Sequence, residues 1–101
     1  PVQVKLLPIA DRHLDYTYEV KKKLEENGII RVEVDDRSEK IGYKIREAQL
    51  EKVPYMLVIG DKDIENGAVS VRDRKEGDLG SMPIDDFVKQ ITEEVASKVI
   101  K

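Results

Sequence analysis

Cysteine and tryptophan are absent from this 101-residue chain, and histidine and phenylalanine occur once each. No cysteine means no disulfide framework, no thiolate chemistry and no Cys-based zinc site, which fits a reducing compartment such as the cytoplasm. No apolar run reaches the roughly 18 residues that a membrane-crossing helix needs, and no signal peptide is visible. The chain starts abruptly at Pro1 with a strand-like run, as a domain cut from a longer protein would. Net charge is also small, −3 from 18 cations and 21 anions, so any attraction to nucleic acid has to come from a local patch. Glycines before a Lys-Ser/Thr are missing, and no G-x-G-x-x-G follows the first strand, which removes the common phosphate and dinucleotide sites. His13, at the end of that strand, reads as a surface residue rather than a ligand or base. Ser38, Ser70, Ser81 and Ser97 then have no histidine partner for nucleophilic work.

What is present is charge and periodicity. Hydrophobic residues make up 40% and charged residues 39%, the balance of one domain with heavily solvated helices. Val2 to Ile9 reads as a strand. Asp15 to Asn27 carries Tyr16, Thr17, Val20 and Leu24 at helical spacing, with Asn27-Gly28 as the stop. Ile29 to Asp35 alternates as a second strand. Glu39 to Lys52 places Ile41, Ile45 and Ala48 on one helical face, with Lys40, Lys44, Glu47 and Glu51 on another. Tyr55 to Ile59 is continuously apolar, as a strand buried on both faces would be.

The β-α-β-α-β order implies parallel strands. After it, Asp61 to Gly67 reads as a turn, Ala68 to Lys75 as an alternating strand, and Gly77 to Met82 as a short edge strand. Pro83 opens a last helix, along which Ile84, Phe87, Val88, Ile91, Val95 and Val99 recur at helical spacing. The expected fold is α/β: a three-layer domain with a mixed four- to five-stranded sheet, its first three strands parallel, flanked by three helices.

The stretch DRSEKIGYKIRE, residues 36–47, gathers Arg37, Lys40, Lys44 and Arg46 where a strand hands over to a helix. Ligands of open α/β sheets sit at the carboxyl ends of parallel strands, and a helix N-terminus adds backbone N–H donors there. Cations at that end are disfavoured by the helix dipole, and a bound anion would offset the cost. The alternative is a solvated helix start in which Asp36 and Glu39 neutralise Arg37 and Lys40, with Lys44 and Arg46 simply facing water. Period two also puts Ser70, Arg72 and Arg74 on one face of their strand, opposite Val69 and Val71. An arginine fork matches guanine O6 and N7, and a carboxylate such as Asp63 can accept from guanine N1–H and N2–H. The plain alternative is a polar edge strand facing water. Asp35, Asp36, Asp61 and Asp63 suggest one more possibility, a receiver-like Mg²⁺ site, although the acidic pair expected after the first strand is missing.

The runs DDRSEKIGYKIREAQLEKVPYMLVIGDKDIENG and VSVRDRKEGDLGSM, with the opening Pro1-Val2-Gln3-Val4, resemble the C-terminal anticodon-binding domain of class II aminoacyl-tRNA synthetases over essentially the whole chain. Prolyl-, histidyl- and glycyl-tRNA synthetases share the architecture, whereas Lys40 to Glu47 and Asp78 to Met82 point to the bacterial threonyl branch. The resemblance implies a domain that performs no catalysis, needs no cofactor, and leaves ATP and zinc to an absent catalytic domain. Its expected partners are that catalytic domain and the threonine anticodon stem-loop, with no membrane involved. Residue by residue, the resemblance places Arg72 and Asp63 on the middle guanine of N-G-U and Ser38 near the uracil. Arg37, Glu39 and Lys40 would be supports or backbone contacts, and Arg74 a further RNA contact. At Ser38 and Asp63 the chain departs from the longer Asn and Glu of the family pattern. A stand-alone or engineered α/β interaction domain, or a polymerase accessory module of the same fold, would carry the same motifs.

Overall fold

The computed structural model describes residues 2–26, 28 and 30–99, with side chains as far as residue 96. The readings that rested on Pro1, Asn27, Ile29 and the side chain of Val99 lie outside the described residues. In chain order the elements are β1 (Val4–Pro8), a 3-10 turn at Asp11–His13, α1 (Leu14–Glu25), β2 (Val32–Val34), α2 (Ile41–Leu50), β3 (Tyr55–Ile59), α3 (Asp61–Asn66), β4 (Ala68–Asp73), β5 (Gly77–Pro83) and α4 (Ile84–Val99).

The five strands form one mixed sheet in the order β2-β1-β3-β4-β5. β1 pairs in parallel with β2 and β3, with Val4 beside both Val32 and Tyr55. β4 runs antiparallel to β3, and β5 antiparallel to β4. The α/β class, the parallel first three strands and the edge strand after the turn are as the sequence predicts. Several boundaries differ. β1 and β4 are trimmed by a residue or two at their ends, and α1 runs Leu14–Glu25. Pro83, expected to open the last helix, is the last residue of β5, with α4 starting at Ile84. The second strand shrinks to Val32–Val34, and the second helix to Ile41–Leu50. The Asp61–Gly67 segment, expected as a turn, is the short helix α3, making four helices rather than three. α3 is closed by Gly67, whose φ of 61° lies in the left-handed region where glycine carries no Cβ penalty. The Asn-Gly pair therefore marks a helix end here, and six residues carry too little periodicity to separate that from a turn.

Alternation along the strands sorts side chains to two faces. Val4, Leu6, Tyr55, Leu57, Ile59, Val69 and Val71 point to the side covered by α1 and α4, where they meet Val20, Leu24, Ile84, Phe87 and Ile91. The Tyr55 and Phe87 rings meet edge to face, 5.6 Å between centroids. On the other side Leu7 and Met56 pack under Ala48 of α2, with Ile41, Ile45 and Val58 half-buried around them. The apolar patch of α2 therefore lies over β1 and β3, while Ser70 and Arg72 of β4 stay half-exposed and most of β5 is exposed. That uncovered part of the sheet lies on the α2 side.

Candidate nucleic-acid interface

Three loops meet at the carboxyl ends of β1, β2 and β3. Between the first two is a crevice of about 420 Å³, lined by Ile9 and Asp11 on one side and by Arg37, Ser38, Glu39 and Lys40 on the other. α2 begins at Ile41 with no side-chain cap and no acidic residue in its first turn, so no carboxylate there offsets its positive end. Among the described residues neither Ser38 nor Lys40 is drawn into a side-chain hydrogen bond or ion pair. Ser38, Glu39 and Lys40 are all exposed and available to a ligand.

Arg37 is committed elsewhere. Its Nε and one terminal nitrogen donate to the two oxygens of buried Asp35, at 2.9 and 2.7 Å. It also pairs with Glu47 and lies 5.6 Å from the Tyr43 ring centroid. These hydrogen bonds hold the Asp35 carboxyl below the usual carboxylate range, and Glu47 shifts the same way under Arg37 and Tyr43. The arrangement makes Arg37 a support for the loop rather than a free cation. Glu47 accepts this charge, so neutralisation of Arg37 comes from Asp35 and Glu47 instead of Asp36 and Glu39.

Lys44 corrects a second expectation. Instead of facing water it is 2% exposed, and its ammonium donates to the carbonyls of Pro8 and Asp35 at 3.0 and 3.1 Å. It thus ties the ends of β1 and β2 together beneath the crevice. The signal was in the spacing: residues 41, 44, 45 and 48 form one i, i+3, i+4, i+7 stripe, and Lys44 sits inside it. His13 likewise is 1% exposed rather than a surface residue, and residues 13, 17, 20 and 24 trace the buried face of α1.

The second half of the site lies beyond Ile9, whose side chain rests on Gly60; a Cβ there would come within 2.8 Å of Ile9 Cδ1. Asp63, in the first turn of α3, is buried. It accepts from the Gly60 N–H and from the Ser70 hydroxyl, both at 2.9 Å. Arg72 stands two positions along β4 from Ser70, beside Met56 of β3 and Asp78 of β5, roughly 7 Å farther on the same face. Its Nε is buried and has no hydrogen-bond partner among the described residues, which is unusual for a group that costs free energy when left unpaired.

Arg74 does not join them. β4 ends at Asp73, so Arg74 falls in the following turn, donating to the Lys52 carbonyl at 3.3 Å near the start of β3. As for the four aspartates, Asp35 serves Arg37, Asp36 accepts from the Tyr18 hydroxyl, Asp61 serves Arg12 and His13, and Asp63 serves Gly60 and Ser70. No group of three or more carboxylate or histidine side chains placed to hold a metal occurs among the described residues.

An uncapped helix end, an exposed loop bearing a cation, and an uncovered sheet face with an arginine, bordered by the Asp63 carboxylate of α3, make a surface suited to single-stranded nucleic acid. The chain belongs to the anticodon binding domain family, whose model matches residues 3–94. Within it, the chain is similar to threonine–tRNA ligases: 66% identical over 98 residues to that of Acetivibrio thermocellus, covering 97% of this chain and 15% of the relative. It is 62% identical over 99 residues to that of Clostridium acetobutylicum, covering 98% of this chain and 15% of the relative. Among solved structures it matches the RNA binding domain of threonyl-tRNA synthetase from Cryptosporidium parvum Iowa II. The TM-score there is 0.85 at 28% identity, over 92% of this chain and 23% of that one. The chain thus spans about 15% of the length of the curated relatives it matches. No helix among the described residues is long and apolar enough to cross a membrane.

Proposed function

We propose that the chain is the anticodon-reading domain of a threonine–tRNA ligase, a cytoplasmic protein of translation, and that it performs no chemistry itself. Its partners are the threonine anticodon stem-loop and the catalytic part of the same enzyme, to which ATP and zinc belong. The reading is supported by identities of 55–66% to threonine–tRNA ligases over nearly the whole chain.

The observation that carries the base assignment is Arg72, with its unspent Nε, two strand positions from the Asp63–Ser70 pair. A guanine lying on this face meets donors at one end and a carboxylate at the other, which matches O6 and N7 against N1–H and N2–H. Ser38, in the crevice on the far side of Ile9, is assigned the neighbouring uracil. Lys40 serves a phosphate, Glu39 and Arg37 shape the loop, and Arg74, at the opposite end of β4, is left a backbone contact at most.

Binding titrations at fixed salt test this. Arg72→Ala should cost about 1–3 kcal/mol on a stem-loop carrying the middle guanine, and far less on one where it is replaced. Lys40→Ala should weaken both loops alike and flatten the salt dependence. Equal losses on both loops for Arg72→Ala, with the fold unchanged, would make Arg72 an electrostatic contact and end the guanine assignment.

A further inference from the structure

His13 stands outside the surface just described, yet it is almost fully buried and both ring nitrogens are engaged. Nδ1 accepts the Ala10 N–H at 3.0 Å. In the neutral ring the proton is therefore on Nε2, which donates to Asp61 at 2.6 Å. Arg12 holds the same carboxylate in a fork, at 3.0 and 2.7 Å. Hydrogen bonds from Arg12 and then His13 keep the Asp61 carboxyl well below the usual carboxylate range. The backbone of His13 is fixed in turn, its carbonyl accepting from the Thr17 hydroxyl at 2.7 Å.

Asp61 is the first residue of α3, and Asp63 is two residues on. A six-residue helix cannot hold its own geometry in water, so the first turn of α3 takes its position from outside contacts. One is the Asp63–Ser70 hydrogen bond to β4; another is the clasp of His13 and Arg12 on Asp61. Ile9, from the same loop as the clasp, rests on Gly60. Arg72, by contrast, sits on a strand paired on both sides. The separation between Asp63 and Arg72 therefore depends on two ties, the Asp63–Ser70 hydrogen bond to β4 and the hold of the loop after β1 on α3.

We propose that His13 is a positioning residue for base selection: through Asp61 it clasps the loop after β1 to α3 and sets the place of Asp63 relative to Arg72. This rests on the guanine reading above. Loss of the clasp displaces the carboxylate while leaving phosphate contacts untouched, so the ratio of affinities between two loops falls rather than affinity as a whole.

His13→Asn keeps an acceptor for the Ala10 N–H but is too short to reach Asp61. His13→Gln carries an amide donor near the position of Nε2 and rebuilds the Asp61 bond. Asp61→Ala breaks the clasp from an exposed position, without opening the core. The 101-residue chain and each variant are titrated with a stem-loop bearing N-G-U and with one whose guanine is adenine. Amide spectra of the free proteins are recorded in parallel.

Expected is a loss of preference for the guanine loop of about three- to tenfold in His13→Asn and Asp61→Ala. Binding to the adenine loop should be unchanged and the preference regained in His13→Gln. In the free protein the Gly60 and Ser70 amides should move in the first two variants and return in the third. If those amides stay at their wild-type positions in Asp61→Ala, the clasp does not set Asp63 and the proposal is overturned, whatever the RNA does. It is overturned also if the amides move and the preference holds, while Arg72→Ala abolishes that preference. A wild-type chain with no preference removes the guanine reading itself, and base selection by His13 with it.

Discussion

Replacing Lys44 by methionine keeps the stem of the side chain and removes only the ammonium, isolating what that buried charge contributes. It donates to two backbone carbonyls, Pro8 and Asp35, at 3.0 and 3.1 Å. Hydrogen bonds to a charged donor contribute about 1.5–3 kcal/mol each, so the two together give about 3–6 kcal/mol. Burial of the ammonium offsets a substantial share of this, because its desolvation costs several kcal/mol before its partners compensate. Water entering the open crevice can recover part of the loss on the carbonyl side. The net expectation is a destabilisation of about 2 kcal/mol, against the roughly 5–15 kcal/mol by which domains are stable. In a domain of this size that lowers the melting temperature by about 8–16 °C. Urea unfolding followed by far-UV circular dichroism at pH 7 measures it, with Lys40→Met as the control. Lys40 lies one helical turn away, just before α2, and is exposed, so its substitution should leave the midpoint in place. A loss below about 0.5 kcal/mol for Lys44→Met, or an equal loss for Lys40→Met, would show that the ends of β1 and β2 are not tied through this side chain.

Of the four tyrosines, Tyr55 should ionise last in an ultraviolet alkaline titration. Burial, followed by its 2.7 Å hydrogen bond to Glu94, pushes its phenol up to about 12. A folded-state value above the unfolded one means that its contribution is fully present below about pH 10 and fades as pH rises through about 12. Tyr55→Phe should reduce that alkaline loss; a variant with the wild-type slope above pH 10 would refute the coupling. Tyr43 and Leu50 are 46% and 76% exposed on the outer side of α2. Replacing both by serine should leave the urea midpoint unchanged, and cooperative unfolding at clearly lower urea would show that they help to hold the core.

Much of the fold was legible because it rests on periodicities that burial enforces locally. Val69 and Val71 alternate with Ser70 and Arg72 as a half-covered strand requires, and Tyr55 to Ile59 is apolar throughout because helices cover both of its faces. Ile84, Phe87 and Ile91 recur at helical spacing and face the sheet as expected. The cluster of cations at 37–46 was equally visible as a sequence feature. Their division of labour was not, since it depends on partners distant in the chain or on another element. Lys44 is buried because the carbonyls of Pro8 and Asp35 come within reach when β1 and β2 pair. Arg37 is spent because Asp35 and Glu47 converge on it. His13 becomes a clasp because Asp61, 48 residues away, begins a helix beside it. Spacing fixes which face of an element a side chain occupies; which charged groups on that face are satisfied, and which are left for a ligand, is decided only when the sheet brings the loop ends together.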